Sequence, residues 1–161
     1  MRLTKNFTLQ ELIYSATALR KNIDNTPTKE GVIKLRLLAA SLLQPLRNAV
    51  GSIRITSGYR SPALSEAIGS SSNSQHCRYE AVDMQFVKRG KMDNLKLYKA
   101  LIDLKLEFDQ CILEFGTSTK DIDGDPAWIH ISWKISDNRK QVLVAYKDDN
   151  NKTKYRSPID Y

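Results

Sequence analysis

The order of the hydrophobic periodicities constrains this chain most. Up to about residue 50 the apolar residues recur at helical spacing, and beyond it short alternating segments dominate. A helix buries one stripe and a half-buried strand buries one face. Helices first and strands later therefore call for an α+β architecture, a mainly antiparallel sheet flanked by helices. The 161 residues divide into a helical part, about 1–51, and an α+β part, about 52–161, within one expected domain.

Local signals place the elements. Thr8 and Glu11 form a capping box and Phe7 can staple onto Leu12, which predicts a helix running to about Leu19. Thr26-Pro27 reads as N-cap and first turn of a long amphipathic helix. That helix has Val32, Leu35, Leu38, Leu42, Leu43 and Leu46 for one face, a kink at Pro45 and an end at Gly51. Strands are expected at 52–56, 81–86, 110–115, 128–133 and 141–147, with a short helix from Ser61-Pro62 to Gly69 and an amphipathic helix over 92–106. A turn at Asp148-Asp149-Asn150-Asn151 returns the chain as a last hairpin strand.

Lys and Arg number 25 against 18 Asp and Glu, a net charge of +7 that favours anionic partners. The basic residues form no arginine-rich stripe and no aromatic platform interleaves them, so nothing points to specific nucleic-acid binding. No run of roughly 18 apolar residues exists, and no membrane span is expected. The segment MRLTKNFTLQ lacks the apolar core of a secretion signal, so synthesis in the cytoplasm with export by another route is the expectation. Cys77 and Cys111 make neither a CxxC pair nor a disulfide framework and read as reduced thiols.

The chain has two histidines. In Trp128-Ile129-His130-Ile131-Ser132-Trp133 the alternation puts His130 on one face with Trp128 and Ser132. In the strand after His76, Val82, Met84 and Phe86 form the apolar face and Asp83 lies opposite, with Ala81 and Gln85. Both ionisable residues project from strands on faces that can converge. A His, Asp, His donor set suits zinc, and three protein ligands leave a fourth position for water. By spacing alone the reading stays open, since a strand histidine is equally a satisfied core or surface residue. Cys77 beside His76 would point the other way in an extended segment.

Ser57-Gly58-Tyr59-Arg60-Ser61, Ser74-Gln75-His76, Glu80-Ala81-Val82-Asp83 and Trp128-Ile129-His130-Ile131-Ser132 occur in that order. Together they resemble the zinc D-alanyl-D-alanine carboxypeptidase-like family, cell-wall peptidases that include L-alanyl-D-glutamate endopeptidases. Phe7 to Leu12, Ile23 to Pro27, Leu43 to Arg47 and Asn138 to Leu143 look like its phage-type branch, so the resemblance covers nearly the whole chain. It implies the hedgehog-like D-Ala-D-Ala carboxypeptidase fold, Zn2+ held by His76, Asp83 and His130, and hydrolysis of a peptidoglycan stem-peptide bond. It implies that Arg60 polarises the scissile carbonyl or holds substrate and that Ser74 contacts substrate. As plain structural residues, Arg60 would pin its loop through a salt bridge and Ser74 would be a loop serine, while Tyr59 is expected to pack. The resemblance further implies a phage lysis or virion-associated enzyme acting at the cell wall or periplasm.

Two positions depart from the family pattern. Tyr79 stands where the family has Gly; if φ is positive there a tyrosine is costly, so either the turn is rebuilt or Tyr79 reaches over the site. Ala127 stands where better-known members place the Glu or Asp that serves as general base. Glu114 is the best substitute, on a strand that a hairpin would pair with the one bearing His130, sharing its face with Gln110 and Ile112. Asp125 and Asp123 are its rivals, in a hexapeptide that hints at a calcium loop but lacks the later glutamate and is explained by turn chemistry. If no carboxylate reaches the water, the chain is a non-catalytic, zinc-stabilised wall-binding or virion structural module. A basic nucleic-acid-binding protein is a third reading, which requires steep salt dependence and no metal.

Overall fold

The computed structural model of the protein describes residues 1–116 and 125–158. Thr8 and Glu11 close the capping box at the head of α1 (Leu9–Ile13). The helix does not run on to Leu19. Tyr14 is extended, Ser15 caps afresh by accepting the Ala18 N–H, and α2 (Ala16–Lys21) follows. A serine hydroxyl competing for a backbone donor favours this break over helix continuation. The next helix also starts later than expected: Thr26 closes a turn on Asp24, and Thr28 is the N-cap of α3 (Lys29–Leu38). A π-helical segment, Ala39–Leu43, joins α3 to α4 (Gln44–Val50) just before Pro45. The wider turn accommodates the proline ring and its missing N–H. Gly51 ends α4 at φ 102°.

The remaining elements are β1 (Ile53–Ser57), α5 (Pro62–Ala67), β2 (Ala81–Lys88), β3 (Lys91–Met92), α6 (Leu95–Asp103), β4 (Gln110–Glu114), β5 (Trp128–Ser132), β6 (Gln141–Lys147) and β7 (Thr153–Arg156). A 3-10 turn at Gln75–Arg78, between the short helix and β2, carries His76. The β6–β7 turn is locked by Asp148, whose Oδ1 accepts the N–H groups of Asn150 and Lys152. Strand order is β1-β2-β5-β4-β6-β7, with β3 beside β2. Every pair is antiparallel except β4 with β6. That pair is parallel because residues 133–140 carry the chain from β5 past β4 to its far edge.

Leu35, Leu38, Leu42, Leu43 and Leu46 pack in one buried cluster with Val82, Met84 and Phe86 of β2 and Ile129 and Ile131 of β5. The helices thus cover one sheet face, and Asp83 and His130 project from the other. Among the described residues no helix is long and apolar enough to cross a membrane.

Tyr79 takes the left-handed conformation, φ 65° and ψ 27°, so the turn is not rebuilt. Nor does its side chain reach over the site. Its ring stacks on Tyr59 with centroids 4.2 Å apart, and its hydroxyl accepts the Thr28 N–H at 3.2 Å. The backbone cost of about 1–2 kcal/mol is of the same size as the about 0.5–1.5 kcal/mol that such stacking contributes. The ring also occupies the space a side chain on Gly31 would need: a Cβ there would lie 2.3 Å from a Tyr79 ring carbon. Gly31→Ala should therefore lower the unfolding free energy by about 1–3 kcal/mol in urea titrations. In a Tyr79→Gly background most of that loss should vanish.

Candidate metal centre

The sheet register brings Asp83 directly opposite His130 on β2 and β5, and His130 opposite Ile112 on β4. Asp83 Oδ1 lies 2.9 Å from His130 Nδ1. His76 comes from outside the sheet, and its Nε2 lies 3.3 Å from Asp83 Oδ1 and 3.3 Å from His130 Nδ1. These three residues form a group whose donor atoms could hold one metal ion.

The donor set fits zinc on two grounds. Zinc–nitrogen bonds of 2.0–2.1 Å in a tetrahedron put neighbouring donors about 3.3 Å apart, close to the 3.3, 3.3 and 2.9 Å observed. The second ground is proton placement. His76 Nδ1 lies 2.7 Å from the Gly58 carbonyl oxygen, which only accepts, so Nδ1 carries the proton. Nε2 of the neutral ring is then a lone pair facing a carboxylate oxygen, an arrangement that a cation between them satisfies. Burial lowers the His76 pKa, against the pull of Asp83, and favours the neutral, ligating ring. For Asp83, burial pushes the carboxyl up, but His76 and His130 outweigh it and hold it well below the usual carboxylate range.

A cleft of about 600 Å³ opens over these atoms. Arg60, Ser74 and Glu114 all line it, as do Gln75 and the aromatic residues Phe115, Trp128 and Tyr155. Arg60 Nη2 lies 3.6 Å from Asp83 Oδ2, and its buried Nε has no hydrogen-bond partner among the described residues. Ser74 caps the 3-10 turn, accepting the His76 N–H at 3.3 Å. Glu114 pairs with Trp128 on β5, two residues along the same face from the Ile112–His130 position. Burial pushes its carboxyl up to about 7, with His130 opposing and Asp83 reinforcing the shift. Asp125 does not line this cleft: its Oδ1 accepts the Leu95 N–H at 2.8 Å, capping α6. Asp123, and with it most of the candidate calcium loop, lies outside the described residues. Cys77 follows His76 within the 3-10 turn rather than in an extended segment, and it is not part of the donor group. Tyr59 is buried and packs as expected.

Three contributors were not singled out from sequence. Gly58 offers its carbonyl to His76, and a Cβ there would lie 2.2 Å from the Leu12 carbonyl oxygen. Its place before Tyr59-Arg60 was the available signal. Gln75 and Asp109 are joined by a hydrogen bond across 34 residues, which no local pattern announces.

Fold and donor set together suit a metallopeptidase-type centre, three potential metal ligands on an open sheet face with a carboxylate alongside. The chain belongs to the peptidase M15 family, whose sequence pattern matches residues 5–111, more than half of its length. The matched span contains Arg60, Ser74, His76 and Asp83 and ends before Glu114 and His130, which enter the site through the strand register. No curated protein matches the chain.

The raised Glu114 carboxyl has a consequence for stability. Its folded value of about 7 exceeds the ordinary 4.5, so between those pH values the folded state keeps a proton the unfolded state has lost. The stabilisation is complete below 4.5 and is lost as pH rises through 7. In metal-free protein, Glu114→Gln should therefore melt above the wild type at pH 8, with a smaller gap at pH 5, in calorimetric scans.

Proposed function

We propose that the chain is a zinc-dependent peptidase that hydrolyses a peptide bond of the peptidoglycan stem, of D,D-carboxypeptidase or endopeptidase type. The observation that carries the reading is the tetrahedral spacing of the His76, Asp83 and His130 donor atoms in a cleft that also holds a carboxyl pushed up to about 7. Zinc bound there supplies a Lewis acid that polarises a carbonyl and lowers the pKa of water.

The chain's own groups then divide the work. Glu114, poised near neutral pH, takes a proton from the attacking water as its oxygen bonds to the carbonyl carbon. It returns that proton to the departing amine as the C–N bond breaks. Glu114 thus replaces the acid absent at Ala127. The Arg60 guanidinium, already beside Asp83, donates to the carbonyl oxygen as negative charge develops on it. Ser74, at the cleft edge, holds the peptide. The net charge of +7 suits an anionic wall. The resemblance to the phage-type branch supports a phage lysis or virion-associated role, with action at the wall after release.

Metal analysis by mass spectrometry should find about one zinc per chain. Digestion of purified peptidoglycan should release stem-peptide fragments, and Glu114→Gln should lower kcat by about 10²–10⁴-fold with zinc retained. Bound zinc without cleavage by the wild type, across several wall chemistries, would make the protein a binding module instead. Absence of zinc would refute the proposal outright.

A further inference from the structure

Two of the three donor residues are placed by the sheet and one is not. Asp83 and His130 are register partners on β2 and β5, so backbone hydrogen bonds set their separation. His76 sits in the 3-10 turn Gln75–Arg78, outside the sheet. Something must tie that turn to the strand carrying His130.

Backbone bonds from the Trp133 N–H to the Glu80 carbonyl and from the Glu80 N–H to the Gln75 carbonyl do so in part, and Asp109, at the head of β4 and 1% exposed, adds a side-chain link. Toward the turn, its Oδ2 accepts from Gln75 Nε2 at 3.0 Å. A carboxylate only accepts, so the amide end of Gln75 facing it must be the NH₂. Toward the sheet, its backbone N–H donates to the Ser132 carbonyl at 2.7 Å, two residues from His130. The carboxylate is held still by the β5–β6 connection: Arg139 donates from Nε and Nη2 at 3.0 and 2.6 Å and from its backbone at 3.2 Å, and Lys134 Nζ lies at 3.0 Å. Asn138 braces this connection, accepting the Lys134 N–H and donating to its carbonyl, each at 2.8 Å.

We infer that Asp109 is a positioning residue of the metal centre, acting through Gln75 to fix the His76 turn against the strand that bears His130. The path His76–Gln75–Asp109–Ser132–His130 consists of two short covalent stretches and two hydrogen bonds. A surface salt bridge would not need a nearly inaccessible carboxylate with this many donors. Burying one is favourable only when every acceptor site is met, as it is here. Gln75 is the link specific to the site, because it borders the cleft and adjoins His76, whereas Arg139 and Lys134 contact Asp109 without lining the cleft.

The inference rests on zinc binding as proposed above, and its test reads metal affinity in the full chain. Zinc dissociation constants would be measured by competition with a chromophoric chelator, alongside melting of the metal-free protein. Gln75→Leu keeps the Asp109–Arg139–Lys134 cluster but cuts the link. It should weaken zinc binding on the order of 10-fold, the scale of losses around metal ligands, and leave metal-free melting near that of the wild type. Asp109→Asn should weaken zinc and also lower melting. Lys140→Met, which removes only the exposed pair with Glu107, should change neither. Wild-type zinc affinity in Gln75→Leu overturns the inference, as does an Asp109→Asn protein that melts early but holds zinc normally. A wild type that binds no zinc refutes the peptidase reading itself, a result distinct from equal binding by all variants.

Discussion

The structure turns on one carboxylate, Asp83, facing two imidazoles on the open side of a sheet. A charge projecting from a mostly apolar strand is unfavourable unless something neutralises it. His130 is brought to it by strand register, and His76 by a 3-10 turn whose ring proton is committed to the Gly58 carbonyl. Arg60 closes the other carboxylate oxygen. Much of the local architecture follows from holding these groups at donor spacing: the glycine that lets β1's exit approach Leu12, the serine cap before His76 and the clamp at Asp109.

Two carboxyl groups in the same cleft are driven in opposite directions by their surroundings. Asp83, met by both histidines, stays ionised despite burial; Glu114, with weaker compensation, is pushed up to about 7. Environments that separate the pKa values of neighbouring acids allow one to serve as a permanent anion and the other as a proton carrier. A cation held between the three donors would complete the neutralisation of Asp83.

The departures from the family pattern are absorbed in different ways. Tyr79 keeps the left-handed turn that a glycine would adopt freely, and recovers the cost by stacking on Tyr59 over a gap left by Gly31. At Ala127 there is no local compensation; the β4–β5 pairing brings a carboxyl from a different strand, Glu114, to the face that carries His130. Packing thus absorbs the first departure.

Periodicity in the sequence determined which side chains share a face: Asp83 opposite Val82, Met84 and Phe86, His130 with Trp128 and Ser132, Glu114 with Ile112. It did so because alternation along a strand is a local property of the backbone. Caps were legible for the same reason at Thr8, though Ser15 and Thr28 show that a neighbouring hydroxyl can move a helix end by several residues. The quoted motifs carried the donor set and the family. Tertiary structure alone decided the parallel β4–β6 pair, the seat of the Tyr79 ring, the diversion of Asp125 to capping α6, and the meeting of Gln75, Asp109 and Arg139. Each of these joins segments far apart in the chain, and the energy that selects them, burial of a ring or satisfaction of a buried carboxylate, exists only once the sheet has brought those segments together.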